Sequence, residues 1–498
     1  MGGMRVNTDN AALPSHFDIR HGSADKPNLT SEGLMSSTDV RVRLEPTLRL
    51  GDSAKVHLQL DAAGLLGDDA VEALTASRYG TGALGNNPLH SGLLVRRAWA
   101  SVRVLGLANV EIGRMPDHFG LGMVRNQGGE LDQDLQNDVD RVRVTADVFG
   151  FHLSLGRASL ASYPMATPGG ALANYNGAVA AQVGVVSPAA DTLGPGNTGL
   201  PVQDSTDVVR WDLGVAGGKL TNDKGLLWEA ALLWQSQAYA LRLENTQTPD
   251  GPTPRQQLSD PNCGADCAML SNRALRLYTF QGAADWRAVW GGFPLRLQAE
   301  GAFQYGTIVR SDITVAADPK TIVAGGAALK ARWQRPRGDW LLDAGIATGE
   351  ADGGFGVTDS TNFKMGGVAD GSARSLLTGF RFHRSYRVDG LLFRDVIGAV
   401  ANAVYLRPAV QWPLVQTKTR SVVLETGLLG AMAASADATP GLGRWIGLEP
   451  DVTLRMQLAS SQVVGRATFL LPGSALANSG GAAAQPAWRI DAGWRVRF

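Results

Sequence analysis

The sequence has no long hydrophobic run and no net charge. No stretch of about eighteen apolar residues occurs along its 498 residues, which excludes transmembrane helices. Its 46 lysines and arginines are balanced by 46 aspartates and glutamates, so the basic excess of a nucleic-acid-binding protein is missing. The hydrophobic fraction of 44% is close to that of an ordinary folded protein. Membrane-spanning β-strands with one apolar and one polar face contain no such apolar run, because apolar and polar residues alternate along them.

Cysteine is scarce, since Cys263 and Cys267 are the only two in the chain. Two cysteines without a nearby histidine are too few for a zinc site, which normally needs four ligands. A short-range disulfide between them would tie off a loop tip in an oxidising compartment such as the periplasm or the cell surface.

An export signal is also missing from residues 1–7, which lack a charged region followed by an apolar one. The mature form of an exported protein would show this N-terminus, and so would a cytoplasmic protein. The strand pattern described next favours the exported form.

The last eleven residues, 488–498, alternate strictly between two faces. The polar face carries Arg489, Asp491, Gly493, Arg495 and Arg497, and the apolar face carries Trp488, Ile490, Ala492, Trp494, Val496 and Phe498. A period of two predicts a strand. About ten residues that alternate in this way, with aromatic residues near both ends, are typical of a transmembrane β-barrel strand.

Other segments show the same alternation, and two kinds of connection join them. The clearest strands lie at 40–50, 55–61, 141–148, 295–304 and 448–458, and weaker ones include 92–105 and 372–387. Tight connections are predicted at 51–53, 105–107, 149–150, 221–225, 291–293, 335–338 and 459–461. Long connections rich in Gly, Ala, Asn and Pro are predicted at 63–91, 116–138, 159–206, 241–271, 349–371 and 473–485. Short periplasmic turns that alternate with long external loops are typical of outer-membrane barrels.

These patterns predict an all-β protein in which residues 1–498 form a single antiparallel transmembrane barrel. Both termini should be periplasmic, so the strand number must be even; we expect about 18, with 16–20 allowed. Residues 1–11 can form a short periplasmic segment ahead of the wall, and residues 384–397 can hide a turn and a short strand. A soluble β-propeller is the alternative, but it requires a repeated blade motif, and the sequence has no fixed repeat period.

The polar faces of the strands would line the lumen, and they are rich in arginine and carboxylates. The predicted pore-lining residues are Arg41, Arg43, Glu45, Arg49, Arg141, Arg143, Arg296, Glu300, Arg407, Glu449, Asp451, Arg455, Arg489, Asp491 and Arg495. A barrel of about 18 strands is wide enough for an aqueous channel, and opposed arginines and carboxylates select solutes by charge. The same side chains can instead pair across neighbouring strands and stabilise the wall.

Two further patterns are candidates for a catalytic site and for a metal site. Asp117 and His118 stand at a strand-to-loop edge, where a barrel protease would place an acid–base pair, but adjacent strand residues point to opposite faces. Asp132, Asp134 and Asp138 offer oxygen ligands that calcium prefers, but their run lacks EF-hand spacing, and a solvated acidic loop explains it equally well. We expect no catalytic residue, no enzymatic activity and no cofactor.

Three passages resemble known outer-membrane proteins. Residues 113–122, with Gly113, Arg114, Phe119, Gly120 and Gly122, resemble a strand end of alginate-export barrels. Residues 41–48 and 402–408 resemble an uncharacterised family of large bacterial outer-membrane proteins related to them, and Phe498 resembles the C-terminal assembly signal of such barrels. The resemblance implies a monomeric barrel in the bacterial outer membrane with a charged lumen, which passes an anionic sugar or polymer.

We therefore predict a porin-like channel for passive diffusion of small hydrophilic solutes, with a mild preference for anions or saccharides. Its partners would be outer-membrane lipid, the barrel-assembly machinery and the solutes, but no nucleic acid. Two alternatives stay open: an alginate-type polysaccharide exporter with periplasmic partners, and a plugged barrel with an enzymatic or surface-adhesion role. The resemblance implies a monomer, whereas general porins are often trimers, so the oligomeric state stays open too.

Overall fold

The computed structural model describes residues 2–10, 34–66, 93–129, 137–160, 208–245, 266–309, 319–350, 376–477 and 483–496. Within these ranges, no helix is long and apolar enough to cross a membrane. Cys263, Asp132, Asp134 and Phe498 lie outside them, and so do the side chains of Arg41 and Cys267. The disulfide, the assembly signal and most of the calcium candidate set therefore stay predictions.

The described residues form one sheet of twenty strands. The strands are β1 (Gly2–Asn10), β2 (Leu34–Leu44), β3 (Thr47–Leu50), β4 (Ala54–Leu66), β5 (Leu93–Val104), β6 (Ala108–Pro116), β7 (Asp138–Val148), β8 (Phe151–Leu160), β9 (Val208–Thr221), β10 (Lys224–Asn245), β11 (Asp266–Trp290), β12 (Phe293–Val309), β13 (Pro319–Trp333), β14 (Asp339–Ala347), β15 (Leu376–Leu377), β16 (Ala403–Gln416), β17 (Arg420–Ala433), β18 (Trp445–Leu458), β19 (Ser461–Pro472) and β20 (Ala487–Val496). Three short helical turns lie at Leu392–Val396, Ala436–Ala438 and Ser474–Leu476. The fold is thus all-β, as the alternation predicts.

The sheet closes on itself, because β1 pairs antiparallel with both β2 and β20. β2 and β3 both pair with β4 and act as one wall strand that is interrupted at Glu45 and Pro46. β15 makes only a two-residue parallel pairing with β13, while β14 pairs directly with β16. With β2 and β3 counted once and β15 left out, the twenty strands make a ring of eighteen wall strands. This confirms the predicted strand number.

The connections sort by length between the two ends of the barrel. All seven tight connections predicted from the sequence are present, and an eighth lies at 417–419. Gly2 of β1 pairs with Val496 of β20 at the same end. We call this the short-turn end and the opposite one the long-loop end.

The wall is apolar on its outer face and polar on its inner face. In β20, Arg489, Asp491 and Arg495 are buried, whereas Ile490 is 52% exposed and Trp494 is 49% exposed. A water-soluble sheet buries its apolar face against a core. Here the apolar face is exposed and the polar face is buried. The outer face therefore suits a hydrocarbon environment.

Aromatic side chains form a row near each end of the outer face. Toward the long-loop end, Trp211, Trp234, Tyr278 and Tyr305 lie opposite one another across β9 to β12. Toward the short-turn end, Trp333 pairs with Trp340 and stacks on Trp290, with ring centroids 5.2 Å apart. Tyr278 and Trp290 are separated along β11 by about 40 Å, or about 30 Å across the wall for a strand tilt of about 40°. That height matches a hydrocarbon layer of about 30 Å.

Two stretches differ from the sequence prediction. The strand predicted at 372–387 is wrong: only Leu376–Leu377 pair in β15, and residues 378–402 fold into the barrel, where a helical turn at Leu392–Val396 replaces the predicted short strand. Phe380 and Phe382 alternate with polar residues as in a strand, but none of residues 378–400 is exposed. Residues 2–10 form β1 within the wall instead of a separate periplasmic segment, because they pair with the edges of β2 and β20.

Candidate functional site in the barrel lumen

Two segments fold inward from the long-loop end and meet in the lumen. Inner segment 1 (residues 117–129) follows β6, and inner segment 2 (residues 378–402) precedes β16. The His383 N–H donates to the Met123 carbonyl oxygen at 2.6 Å. Met123 also packs in one buried apolar cluster with Phe380, Phe382 and Leu392. The two segments therefore narrow the lumen as one packed unit.

Asp117 holds the base of inner segment 1 to the wall. Its carboxylate accepts hydrogen bonds from Arg125 at 3.1 Å, Arg141 at 3.2 Å and Arg210 at 2.7 Å. Asp212 accepts from Arg210 and Arg141 on the other side, so the charges alternate. Burial alone would raise the pKa of the Asp117 carboxyl, but the three guanidinium groups outweigh it and hold that pKa well below its usual range.

The tip of inner segment 1 crosses the lumen and binds two glutamates of the far wall. Glu229 of β10 accepts the Gly120 N–H at 2.6 Å. Glu300 of β12 accepts the N–H groups of Leu121 at 2.7 Å and Met123 at 3.0 Å. Gly120 has a φ of +54°, and a Cβ there would lie 2.9 Å from the Glu300 carboxylate. Glycine allows this approach because it has no Cβ, which explains Gly120 of the sequence motif physically.

Inner segment 2 is held to the opposite part of the wall by the same kind of contact. Glu449 of β18 accepts the N–H groups of Gly390 at 2.8 Å, Leu391 at 3.3 Å and Leu392 at 2.7 Å. Arg489 of β20 forms an ion pair with Asp395. Glu300 and Glu449 were predicted as pore-lining residues; both face inward, and each binds the backbone of a segment that narrows the lumen.

A polar cavity of about 380 Å³ remains beside inner segment 2. Its apolar surface includes Leu121, Leu341, Tyr386, Val388 and Val464. Five basic and five acidic side chains also line it: Lys330, Arg387, Arg407, Arg455 and Arg466, and Asp343, Asp389, Glu425, Asp451 and Asp491. The charged lining of the cavity is therefore balanced between basic and acidic groups.

Several charges around this cavity are already paired. Arg407 donates to Asp451 at 2.6 Å and to Glu425 at 2.8 Å. Arg455 donates to Glu425 at 2.5 Å, and Asp343 lies 3.7 Å from Arg407. Such pairs fix the side chains in place, so they shape the cavity.

The other predicted pore-lining residues whose side chains are described also lie on the inner face. Arg43 pairs with Asp61, Glu45 accepts from Gln59, Arg143 pairs with Glu111, Arg296 pairs with Asp285, Arg489 donates to Asp491, and Arg495 donates to the Gly129 carbonyl. Arg49 is exposed near the short-turn end, and β2 places Arg41 two residues before Arg43. Whether these residues contact a solute stays a prediction.

Sequence reasoning missed several residues of the lumen. Arg210 and Asp212 alternate with outward Trp211 and Leu213, so the strand pattern carried a signal for them. Glu229, Glu425 and Asp343 lie on strands in the same way. Arg125 and the whole of inner segment 2 had no such signal, because they are not part of the wall.

The catalytic and calcium candidates have other contacts. Asp117 is fully engaged by three guanidinium groups. Asp138 pairs with Arg97 at 2.5 Å. No group of three or more His, Cys, Asp or Glu side chains within the described ranges is arranged to hold a metal ion.

No protein-family model and no curated protein matches the sequence. Solved structures do match. Pseudomonas aeruginosa OccK9 (OpdG) is 10% identical, with a TM-score of 0.50 over 99% of this chain and 96% of that chain. Pseudomonas aeruginosa OpdK with vanillate is 10% identical, with a TM-score of 0.49 over 99% and 97%. Pseudomonas putida OprB is 9% identical, with a TM-score of 0.42 over 100% and 93%.

The chain thus shares the barrel fold of outer-membrane porins. The likeness covers almost the full length of both chains. It bears out the porin-like part of the sequence prediction and does not support the resemblance to alginate-export barrels. At 10% identity it says nothing about the solute.

Proposed function

We propose that the protein is a porin-like channel of the bacterial outer membrane, which passes small hydrophilic solutes by passive diffusion. The observation that carries the proposal is a closed barrel with an apolar outer face and a charged lumen. Transmembrane β-barrels have this inverted arrangement, and the porin fold agrees with it.

The lumen favours small solutes over a polymer. Inner segments 1 and 2 are anchored by Asp117, Glu300 and Glu449, and they leave a cavity of about 380 Å³ beside the wall. A polysaccharide exporter would need both segments to move aside along the whole path. Because the cavity is balanced in charge, we expect saccharide-sized polar solutes, with only a mild preference for anions.

Single-channel recording in planar bilayers tests the proposal. We expect steady, small currents and a reversal potential in a salt gradient that is slightly on the anion side. No current at all would contradict the channel and favour a plugged barrel with a surface or enzymatic role. A clear cation preference would contradict the role assigned to the lumenal arginines.

Glu300→Gln tests whether the inner segments set the conductance. The substitution replaces a carboxylate by a weaker, neutral acceptor for the Leu121 and Met123 N–H groups, at a cost of about 1 kcal/mol, so the tip should detach more often and the mean conductance should rise. Gln298→Ala is the matched control, because Gln298 lies on the same strand two residues away without a hydrogen bond to inner segment 1 among the described residues. Equal conductance in Glu300→Gln and wild type would show that this contact does not limit flow.

A further inference from the structure

The outer face of β10 to β14 carries an apolar groove of about 670 Å³. Two cross-strand rows of mostly small residues form its floor. One row is Gly282, Gly301, Ala327 and Ile346, and the other is Ala284, Ala299, Leu329 and Ala344. Phe280 and Phe303 are large and exposed on the long-loop side, and Trp286 is exposed on the short-turn side. The groove is therefore a depression between bulky side chains.

Neither glycine in the floor is needed by the barrel itself. A Cβ at Gly282 would meet nothing within 4 Å, and the nearest atom to one at Gly301 is a backbone oxygen at 4.0 Å. Both have ordinary strand backbones, where glycine destabilises a strand by about 0.5–1 kcal/mol relative to alanine. Glycine inside a strand often marks the close approach of a ligand or of another backbone. These positions point to an occupant outside the wall.

A cation stands at the short-turn end of the same strands. The Arg335 guanidinium lies 4.1 Å from the Trp333 ring centroid and 4.6 Å from that of Phe293. Arg337 is exposed in the same turn, and Asp339 beside it is already paired with Arg332 at 2.5 Å. No carboxylate of the described residues pairs with Arg335 or Arg337. The turn therefore presents two positive charges next to an aromatic surface.

The distance between groove and cation suits one leaflet of a membrane. Leu329 in the groove and Trp333 under Arg335 are four residues apart on β13, which is about 13 Å along the strand. Half of a hydrocarbon layer of about 30 Å has a similar thickness. An amphiphile with its phosphate at Arg335 would thus place its acyl chains over the groove.

We propose that this surface is a binding site for an anionic phospholipid of the periplasmic leaflet. Its acyl chains fill the groove over Gly282 and Gly301, and its phosphate pairs with Arg335 and Arg337. The inference rests on the proposed function, which places the short-turn end at the periplasmic side. The positive charges favour this occupant over a second copy of the chain. The apolar groove lies toward the middle of the membrane and the cations toward its surface, as the acyl chains and the phosphate of a phospholipid do.

Native mass spectrometry of the full chain in detergent tests the site, with phosphatidylglycerol and phosphatidylcholine as probes. We expect phosphatidylglycerol to be retained more strongly. Arg335→Gln should weaken its retention about fivefold, the effect of one basic residue at a membrane surface. Gly301→Leu should reduce retention of both lipids by filling the groove.

Two matched variants control for general effects. Arg420→Gln removes a basic residue at another tight turn, and Gly465→Leu fills open space on the outer face of β19. Both should retain lipid as wild type does. Equal lipid retention in Gly301→Leu and Gly465→Leu would overturn the site. So would dimers of the wild-type protein that are lost in Gly301→Leu, because the groove would then bind a second copy of the chain.

The readout is bound mass, so it separates this inference from the channel proposal. A barrel that conducts normally without retaining phosphatidylglycerol contradicts the lipid site alone. A barrel that retains it through Arg335 and Gly301 but passes no current contradicts the channel alone.

Discussion

At the scale of single residues, the lumen depends on buried charges that have partners. Arg210, Arg141 and Arg125 are all less than 9% exposed, and all three form ion pairs with Asp117. A buried ion pair adds little net stability over apolar packing, but removing one partner leaves an uncompensated charge. Asp117 is therefore the residue of this network whose loss should matter most.

Asp117→Asn should destabilise the barrel by about 3–5 kcal/mol, because Arg125 then loses its carboxylate partner and only Asp212 is left for Arg141 and Arg210. Asp140→Asn is the control, since the Arg114–Asp140 pair is 52% exposed on both sides and should contribute about 0–1 kcal/mol. Urea unfolding in micelles measures both. Similar losses for the two variants would refute the special role of Asp117. Because the folded pKa of Asp117 is lowered, its contribution should persist above the ordinary value of about 3.9 and be lost only as the pH falls through the folded pKa.

At the scale of elements, inner segment 2 contains a histidine that must stay neutral. Burial, together with Arg387, Arg384 and Arg381, lowers the pKa of His383 to about 3. Its Nδ1 accepts the Ser385 N–H at 3.0 Å, which requires the unprotonated nitrogen. An unfolded histidine has a pKa of about 6.5, so below that pH the unfolded chain binds a proton that the folded chain does not.

Stability should therefore fall as the pH drops from about 6.5, by up to about 1.4 kcal/mol per pH unit from His383 alone. Burial raises the pKa of Asp389 to about 6, and that group acts with the opposite sign, gaining stability as the pH falls. The difference between wild type and His383→Asn isolates the histidine, because Asn can still accept the Ser385 N–H. Urea titrations at pH 7 and pH 5 measure it. If both proteins lose the same stability, His383 is not the responsible group.

The wall elements could be predicted from the sequence, and the inner segments could not. Alternation reports that a segment has two unlike faces, which was enough for β20 and for the tight turns. Alternation does not indicate whether the apolar face contacts lipid or the protein interior, so residues 380–382 were predicted as part of a wall strand. The lumenal position of Glu300 and Glu449 followed from alternation, but their partners lie up to 179 residues away and left no local pattern. The anchoring contacts are a property of the closed barrel.

At the scale of the whole molecule, the environment of each face decides which substitutions are harmful. An exposed leucine of a water-soluble protein usually tolerates replacement at small cost. In the proposed outer-membrane channel the outer face meets hydrocarbon, so the same change transfers a charge into lipid. The cost depends on depth and falls toward the interfaces.

Leu155→Lys should cost up to about 2–4 kcal/mol, the range for the middle of the membrane, because Leu155 is 52% exposed on the outer face of β8. Leu105→Lys should cost about 0–1 kcal/mol, because Leu105 is 88% exposed in a tight turn outside the hydrocarbon layer. Unfolding by urea from lipid vesicles measures both changes. Small and equal costs would mean that the outer face of β8 does not lie in hydrocarbon.

The pairing of β1 with β20 also determines at which stage of folding the barrel can close. It joins residues 2–9 to residues 489–496, which are nearly a full chain length apart. Contacts at such separation form late, because the chain entropy lost in making them is large. A chain that stops before residue 489 keeps two unpaired strand edges, and such edges recruit other chains. Only a chain whose synthesis has included β20 can therefore close the ring and leave no strand edge unpaired.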